Sequence, residues 1–467
     1  MKFRKLGTTD IDVSLICLGT MTWGTQNTEK DAFEQMDYAV SQGINFFDTA
    51  EIYSVPPTSD SYGKTEVMIG NWFEKRKNRD KIILASKVAG PGCDWIRGGG
   101  NNFDEKKIGE AIDGSLKRLK TDYIDLYQLH WPERSTNFFG RRDYLFNNKE
   151  GNWNSFESIL EALEKYIKSG KIRHIGMSNE TPYGLSRYLE ISKNKGAPRM
   201  MSVQNPYNLV NRTYEIGMSE ISIREKCGLL VYYPLAAGGL SGKYRNGKMP
   251  KDSRMALFKG WERHLNPLAM KAYDKYYKLA KDYNLTMVQL AQAFVNSRPF
   301  VTSNIIGATT MEQLKENIGS INIELSNEIV EYLAYSINTN MREMEGALNT
   351  LLAQASLNKR AITMDLARQM VDKFVKNTAR EVSIEYIQKV VCDYFDLPIE
   401  MLKSKTRKRE VVQARQISMY FSKKMTKSSL ANIGAHCGGK DHATVLHACR
   451  TVVNLSETDK RFRLYLD

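Results

Sequence analysis

The stretch Tyr123-Ile124-Asp125-Leu126-Tyr127-Gln128-Leu129-His130-Trp131-Pro132 follows a helical pattern at Glu105–Leu119 and reads as a β-strand that ends on a histidine. Aliphatic and aromatic residues fill it, and a proline closes it. The same unit recurs on either side. Further candidate strands are Val13–Leu18, Asn45–Asp48, Ile82–Lys87, Ile172–Met177, Met200–Gln204, Leu229–Tyr233 and Asn304–Gly307. Between them lie patterns such as Asp31–Gln42, Phe156–Lys168, Thr213–Lys226 and Met311–Ile318, with apolar residues at i, i+3 and i+4. Eight strands with interleaved helices predict an α/β fold, a closed (β/α)8 barrel of the TIM type.

After about Leu333 the strand signal stops. Helical periodicity follows near Met341–Gln354, Thr363–Lys376, Ser383–Phe395, Val411–Lys424, Ser428–His436 and Asp441–Leu455, so an all-α segment is expected there. A basic linker, Lys403-Ser404-Lys405-Thr406-Arg407-Lys408-Arg409, runs through this part. With 467 residues and 42% of them hydrophobic, the chain has material for two or three packed units, which excludes disorder and collagen. The net charge of +14 divides into +6 through Leu333 and +8 beyond it, so the shorter part carries more of the excess. Such a balance permits a polyanionic partner without requiring one. The six cysteines, at positions 17, 93, 227, 392, 437 and 449, form no C-x-x-C pair, which argues against a zinc ribbon or a dense disulfide framework. No signal-peptide pattern and no apolar run of about 18 residues occurs. A soluble cytoplasmic protein is expected, with no metal and no membrane partner.

In a barrel the reacting groups sit at the carboxyl ends of strands. Asp48 ends the second strand, Lys87 the third and His130 the fourth, while Tyr53 lies in the loop after Asp48. Each has a plain structural alternative, since a barrel-end lysine can be an ion-pair partner and a lone histidine a satisfied core residue. Together they converge on one rim. Reducing a carbonyl requires a proton for the alkoxide that forms, and tyrosine can supply it. Lys87 is expected to lower the phenol pKa, Asp48 to hold Lys87 charged, and His130 to donate to the substrate oxygen. Trp23, Trp95, Trp131 and Tyr53 are candidates for lining an apolar pocket.

Residues 1–333 resemble the aldo-keto reductases, most closely their Tas-like branch. The resemblance rests on L-G-T-M-T-W-G (18–24), F-D-T-A-E-I-Y (47–53), Y-I-D-L-Y-Q-L-H-W-P (123–132), G-K-I-R-H-I-G-M-S-N (170–179), V-Q-N-P-Y-N (203–208) and I-I-G-A-T-T-M-E-Q-L-K-E-N (305–317). It implies a nicotinamide cofactor, NADPH with NADH possible, and a small carbonyl substrate. By the same resemblance Tyr53 is the proton donor in a tetrad with Asp48, Lys87 and His130. Ser178, Asn179 and Gln204 would bind the nicotinamide carboxamide, and Tyr232 would stack on the ring. Pro234, Leu235, Gly238, Leu240 and Lys243 would approach the pyrophosphate. Gly307, Ala308, Thr309, Gln313, Glu316 and Asn317 would meet the adenosine end. Many members carry cations where this chain has Gly307 and Gln313, which puts strict NADPH preference in question. No G-x-G-x-x-G follows a strand.

In the second part, a basic linker and the sequence helix, turn, helix match the grammar of a helix-turn-helix DNA reader. Gly438-Gly439 is the expected turn, and Val445, Cys449 and Val452 are expected to face inward. Residues 334–467 resemble the carboxyl-terminal part of the replication initiator DnaA. M-R-E-M-E-G-A-L (341–348) is similar to the final lid of its AAA+ ATPase, giving a lid remnant over 334–379. G-G-K-D-H-A-T-V-L-H-A-C-R (438–450) is similar to its origin-binding domain, giving a DNA-binding domain over 380–467. The resemblance implies double-stranded DNA as partner: Asp441, His442, Ala443 and Thr444 on bases in the major groove, Arg407 in the minor groove, Lys423 and Lys440 on phosphate. Ala443 stands where threonine is usual, and Lys440 where arginine is.

No G-x-x-x-x-G-K-[ST] occurs, so no ATP site is expected. The chain therefore reads as a fusion, with its seam at Glu328-Ile329-Val330-Glu331-Tyr332-Leu333. A DNA-binding protein on an inactive barrel and a reductase with a vestigial tail are the rival readings, and the intact tetrad argues against the first.

Overall fold

The computed structural model describes residues 1–99, 102–139, 144, 153–258, 262–325, 383–404, 406–426, 428–459 and 462. Backbone contacts divide the chain into two compact units, Met1–Leu333 and Ala334–Asp467. The expected helices at Met341–Gln354 and Thr363–Lys376, the lid remnant and the seam lie outside the described residues.

The first unit opens with an antiparallel hairpin, β1 (Phe3–Lys5) and β2 (Asp12–Ser14). Eight parallel strands follow: β3 (Ile16–Gly19), β4 (Phe46–Asp48), β5 (Ile83–Val88), β6 (Ile124–Leu129), β7 (Ile172–Ser178), β8 (Met200–Pro206), β9 (Gly228–Tyr232) and β10 (Val301–Ile306). They close as a barrel in chain order, β10 pairing with β3. The expected strand Val13–Leu18 is in fact two elements. Val13 belongs to the hairpin, and the barrel strand starts at Ile16 after Leu15 N–H bonds to the Lys2 carbonyl at 2.8 Å.

Helices wrap the barrel in the order α1 (Glu29–Ser41), α2 (Lys64–Arg76), α3 (Glu105–Leu119), α4 (Phe156–Lys168), α5 (Pro182–Lys195), α6 (Met218–Arg224), α7 (Arg254–Leu257), α8 (Pro267–Asp282), α9 (Met287–Asn296) and α10 (Met311–Gly319). Their starts are written locally: Thr28, Asp104, Ser155, Thr181, Asn266, Thr286 and Thr310 each accept from a backbone N–H of the first turn. The expected helix Thr213–Lys226 is shorter, because Gly217 interrupts it at φ +82 and α6 begins at Met218.

One apolar core fills the space between sheet and helices. A second, with Cys17, Phe46, Ala85, Leu126, Leu230 and Ile305 from six strands and Leu6 and Val13 from the hairpin, plugs the barrel. The hairpin is tied down by Arg4, whose guanidinium donates to the carbonyls of Asn296 (2.9 Å), Arg298 (2.8 Å) and Val301. With the amino-terminal mouth stoppered, the opposite rim is left for ligand.

The second unit is all-helical among its described residues: α11 (Ile384–Tyr394), α12 (Glu400–Lys403), α13 (Arg409–Met425), α14 (Leu430–His436) and α15 (His442–Thr458). Ile387, Val391, Leu402, Ala414, Ile417 and Val452 form one apolar layer, and Met419, Ile433, Cys437, Val445 and Cys449 a second. The inward positions expected for Val445, Cys449 and Val452 are thus occupied as read.

Candidate active site and nucleic-acid interface

Strands β4, β5 and β6 end side by side, and side chains from their ends and the loops that follow meet. The buried Lys87 ammonium donates to Asp48 Oδ2 at 2.8 Å, to the Thr49 carbonyl at 2.7 Å and to the Tyr53 hydroxyl at 3.4 Å. Asp48 Oδ1 accepts from Gln204 Nε2 at 2.8 Å and from Gln128 Nε2 at 3.4 Å, so both carboxylate oxygens are satisfied without water. The Tyr53 and His130 rings stand edge-on, 5.7 Å apart. The three residues read from strand ends and the loop residue Tyr53 are therefore brought together.

Burial sets their protonation. It pushes the Tyr53 phenol well above its ordinary value; Asp48 adds to the rise and Arg254 opposes it. The expectation that Lys87 lowers this pKa is corrected: a desolvated phenolate loses more solvation than the neighbouring cations return. The His130 imidazole is held well below its ordinary value, by burial first and by Lys87 second, and its Nδ1 has no hydrogen-bond partner among the described residues. It is a neutral ring. Burial also lowers the Lys87 ammonium, with Asp48 opposing.

Beside this group, Asn179 donates to the His130 carbonyl at 2.9 Å and to Ser178 Oγ at 3.0 Å, and accepts from the Tyr232 hydroxyl. Ser178 Oγ donates to the Gln204 carbonyl at 2.9 Å. The run Pro234–Tyr244 carries a 3-10 segment, Ala236–Ser241, with Gly238 at φ +96 and Gly242 at φ +80. Lys243 there is half-buried, and burial together with the nearby charge of Arg254 lowers its pKa. Across the rim, Gln313 Oε1 accepts from Thr309 N–H at 3.0 Å, Glu316 accepts from Thr286 Oγ1 at 2.7 Å, and Asn317 is buried.

Of the aromatic residues expected to line a pocket, Trp23 does not. It is fully buried, its indole N–H donating to Gln35 Oε1 at 3.0 Å. Trp131 packs beside the site, its ring 5.0 Å from that of His130, and the Phe139 ring lies 5.7 Å from that of Trp131. Trp95 is partly exposed and meets Tyr62 edge-on.

In the second unit, Asp441 caps α15 by accepting from Thr444 N–H at 2.7 Å, a bond that lowers its carboxyl pKa. His442, Ala443 and Thr444 are exposed on the first turn. Gly438 and Gly439 make the preceding turn at φ +85 and +71, and a Cβ on Gly438 would lie 2.3 Å from the Lys403 carbonyl oxygen. Gly434 is equally constrained, for a Cβ would fall 1.9 Å from the Lys440 oxygen. Arg407 and Lys423 are exposed and Lys440 half-exposed.

The aldo/keto reductase family profile matches residues 15–337. This chain belongs to the aldo/keto reductase family. The reductase is 45% identical over 332 residues to Protein tas of Escherichia coli, covering 71% of this chain and 96% of that protein. It is 34% identical over 338 residues to the uncharacterized oxidoreductase YrpG of Bacillus subtilis, covering 71% and 95%. Residues 384–452 of the same chain match the bacterial dnaA protein helix-turn-helix. Over 159 residues the chain is 57% identical to the chromosomal replication initiator protein DnaA of Flavobacterium psychrophilum, covering 34% of this chain and 33% of that protein. Two families thus follow one another in one polypeptide, and the second is represented by a third of its relatives' length.

Two arginines of the reductase chain escaped sequence reasoning. Arg254 on α7 is nearly buried near Tyr53, Tyr233, Tyr244 and Lys243, yet Ser253-Arg254-Met255 carries no motif. Arg415 on α13 donates to the carbonyls of Leu402 at 2.7 Å and Ser404 at 2.9 Å, holding the linker that bears Arg407. Only a helix-end carbonyl cluster could have signalled it, and that is invisible along the chain. Among the described residues no group of His, Cys, Asp and Glu is arranged to hold a metal, and no helix is long and apolar enough to cross a membrane.

Proposed function

We propose that the barrel reduces an aldehyde or ketone to the alcohol with NADPH, and less efficiently with NADH, while residues 380–467 bind a specific double-stranded DNA box. The observation that carries the first half is the Asp48–Lys87–Tyr53 contact beside His130. Support for a nicotinamide cofactor comes from polar groups without partners among the described residues: Gln26 Oε1, Asn27 Oδ1 and His130 Nδ1 are buried and unpaired there. The half-buried Lys243 and the nearly buried Arg254 suit a pyrophosphate or phosphate.

When bound, the cofactor supplies the hydride. The protein supplies the rest. Tyr53, protonated because it is buried, gives its proton to the carbonyl oxygen as negative charge develops there. The Lys87 ammonium, 3.4 Å away, faces the phenolate left behind, and Asp48 keeps that ammonium oriented. Neutral His130 offers an N–H to the same oxygen and fixes its direction. Ser178, Asn179 and Gln204 present side-chain amide and hydroxyl groups for a carboxamide, and the Trp131 and Phe139 rings favour an apolar substituent on the carbonyl. Neither a metal nor ATP is required.

The second half is supported by His442, Ala443 and Thr444, exposed at the start of a helix behind a glycine turn and flanked by basic residues. All six cysteines are free thiols, which suits a cytoplasmic setting. NADPH oxidation by the purified chain with aromatic and small aldehydes tests the first half, and binding to an initiator-box duplex against a scrambled one tests the second. No turnover with intact folding overturns the reductase reading.

A further inference from the structure

The loop Gly307-Ala308-Thr309 turns three successive carbonyls towards the protein, and each is taken by a side-chain amide from a different place. Asn317 Nδ2 donates to Gly307 O at 3.3 Å, Gln35 Nε2 to Ala308 O at 3.3 Å, and Asn27 Nδ2 to Thr309 O at 2.9 Å. In a trans peptide the N–H points opposite to the carbonyl, so this anchoring turns the N–H groups of residues 308 to 310 outward. Thr309 N–H shows that direction, meeting the exposed Gln313 at 3.0 Å.

The anchoring amides are themselves oriented. Trp23 has only a donor, so Gln35 must offer it Oε1 and is left with Nε2 for Ala308. On the other side the order runs through a closed circuit. Ser320 Oγ donates to Asn317 O at 2.7 Å and therefore accepts from Asn296 Nδ2 at 3.3 Å. Asn296 then presents Oδ1 to Asn304 Nδ2 at 2.9 Å, and the same Nδ2 donates to Gln292 Oε1 at 2.7 Å. Gln292 is left with Nε2, which meets Asn317 Oδ1 at 3.0 Å, so Asn317 must turn Nδ2 towards Gly307. Every member is buried, and Asn304 Oδ1 has no partner among the described residues, a cost the circuit tolerates in order to keep one direction.

We infer that Gln35 and Gln292 are positioning residues that fix the 307–309 loop for the adenosine end of the cofactor. Gln35 acts through the Ala308 carbonyl and Gln292 through Asn317. Their effect is preorganisation: with the loop held, binding does not have to order it. This rests on the nicotinamide-cofactor reading.

The test uses the full chain and 2′,5′-ADP, which probes the adenosine half alone, together with NADPH. Gln35→Leu removes a donor to the loop, and Gln292→Met removes the donor that orients Asn317 towards it. Both should raise the dissociation constants for 2′,5′-ADP and NADPH about fivefold, the size of one neutral hydrogen bond. At saturating NADPH, kcat and the KM for the aldehyde should stay within about twofold of wild type. Asn45→Ala, which cuts the Asn45 bonds to Asp12 and Ser14 at the opposite mouth of the barrel, should lower Tm without moving either constant. Unchanged dissociation constants in both glutamine variants, or an equal shift in Asn45→Ala, overturn the inference. Wild type that binds neither ligand overturns the cofactor reading beneath it.

Discussion

The Lys87 ammonium lies 3.4 Å from the Tyr53 hydroxyl, with no room for water between a side chain from the end of one strand and one from the loop after another. That approach holds a protonated phenol against a buried cation at this rim. Tyr53→Phe keeps the ring and removes the acid. NADPH-dependent aldehyde reduction should fall roughly 10²–10⁴-fold while cofactor binding persists. Equal turnover by the variant would show that another group supplies the proton.

Lys87→Met should cost stability as well as rate. Asp48 would keep its bonds to Gln204 and Gln128 but lose the cation, leaving a buried charge uncompensated. Urea unfolding should register a loss of about 3–5 kcal/mol. A loss below about 1 kcal/mol, typical of a surface pair, would mean that solvent reaches the site.

Acid should weaken the barrel through His130. Its native pKa is depressed, so between that value and the unfolded one, about 6.5, the unfolded chain binds more protons. The contribution is fully present above about pH 6.5 and is lost as pH falls. Unfolding free energy should therefore drop more steeply in wild type than in His130→Gln below about pH 6.5, and parallel curves would contradict a neutral buried ring.

Gly307 is open: a Cβ there would meet nothing within 4 Å. Wild type should prefer NADPH over NADH by less than a thousandfold, roughly 4 kcal/mol, since neither 307 nor 313 bears a cation. Gly307→Lys should fit without strain and raise the preference about tenfold in steady-state kinetics. A preference already above a thousandfold would assign the phosphate to another cation.

DNA binding by the full chain should separate two kinds of residue. His442→Ala should cost about 1–3 kcal/mol on the box and little on random duplex. Lys423→Ala should weaken both alike and flatten the salt dependence. Salt-sensitive binding with no preference for the box would reduce this surface to a basic patch.

The barrel was legible along the chain because strand and helix periodicity, caps and glycine turns are local. All eight expected barrel strands overlap the observed ones to within three residues at either end, and Asp48, Lys87 and His130 could be read as catalytic simply because they fall at the ends of consecutive strands. The glycine turn before α15 was legible for the same reason. Tertiary structure decided everything that depends on which distant segments meet. It split Val13–Leu18 between plug and barrel, buried Trp23 against Gln35, and brought Arg254 beside Tyr53 and Arg415 beneath the Arg407 linker. It also reversed the expected shift of the Tyr53 phenol, because desolvation is a property of the enclosing fold. Sequence records which groups a residue carries and how its neighbours repeat; how much water each group loses, and which partner replaces that water, is set only when the chain closes.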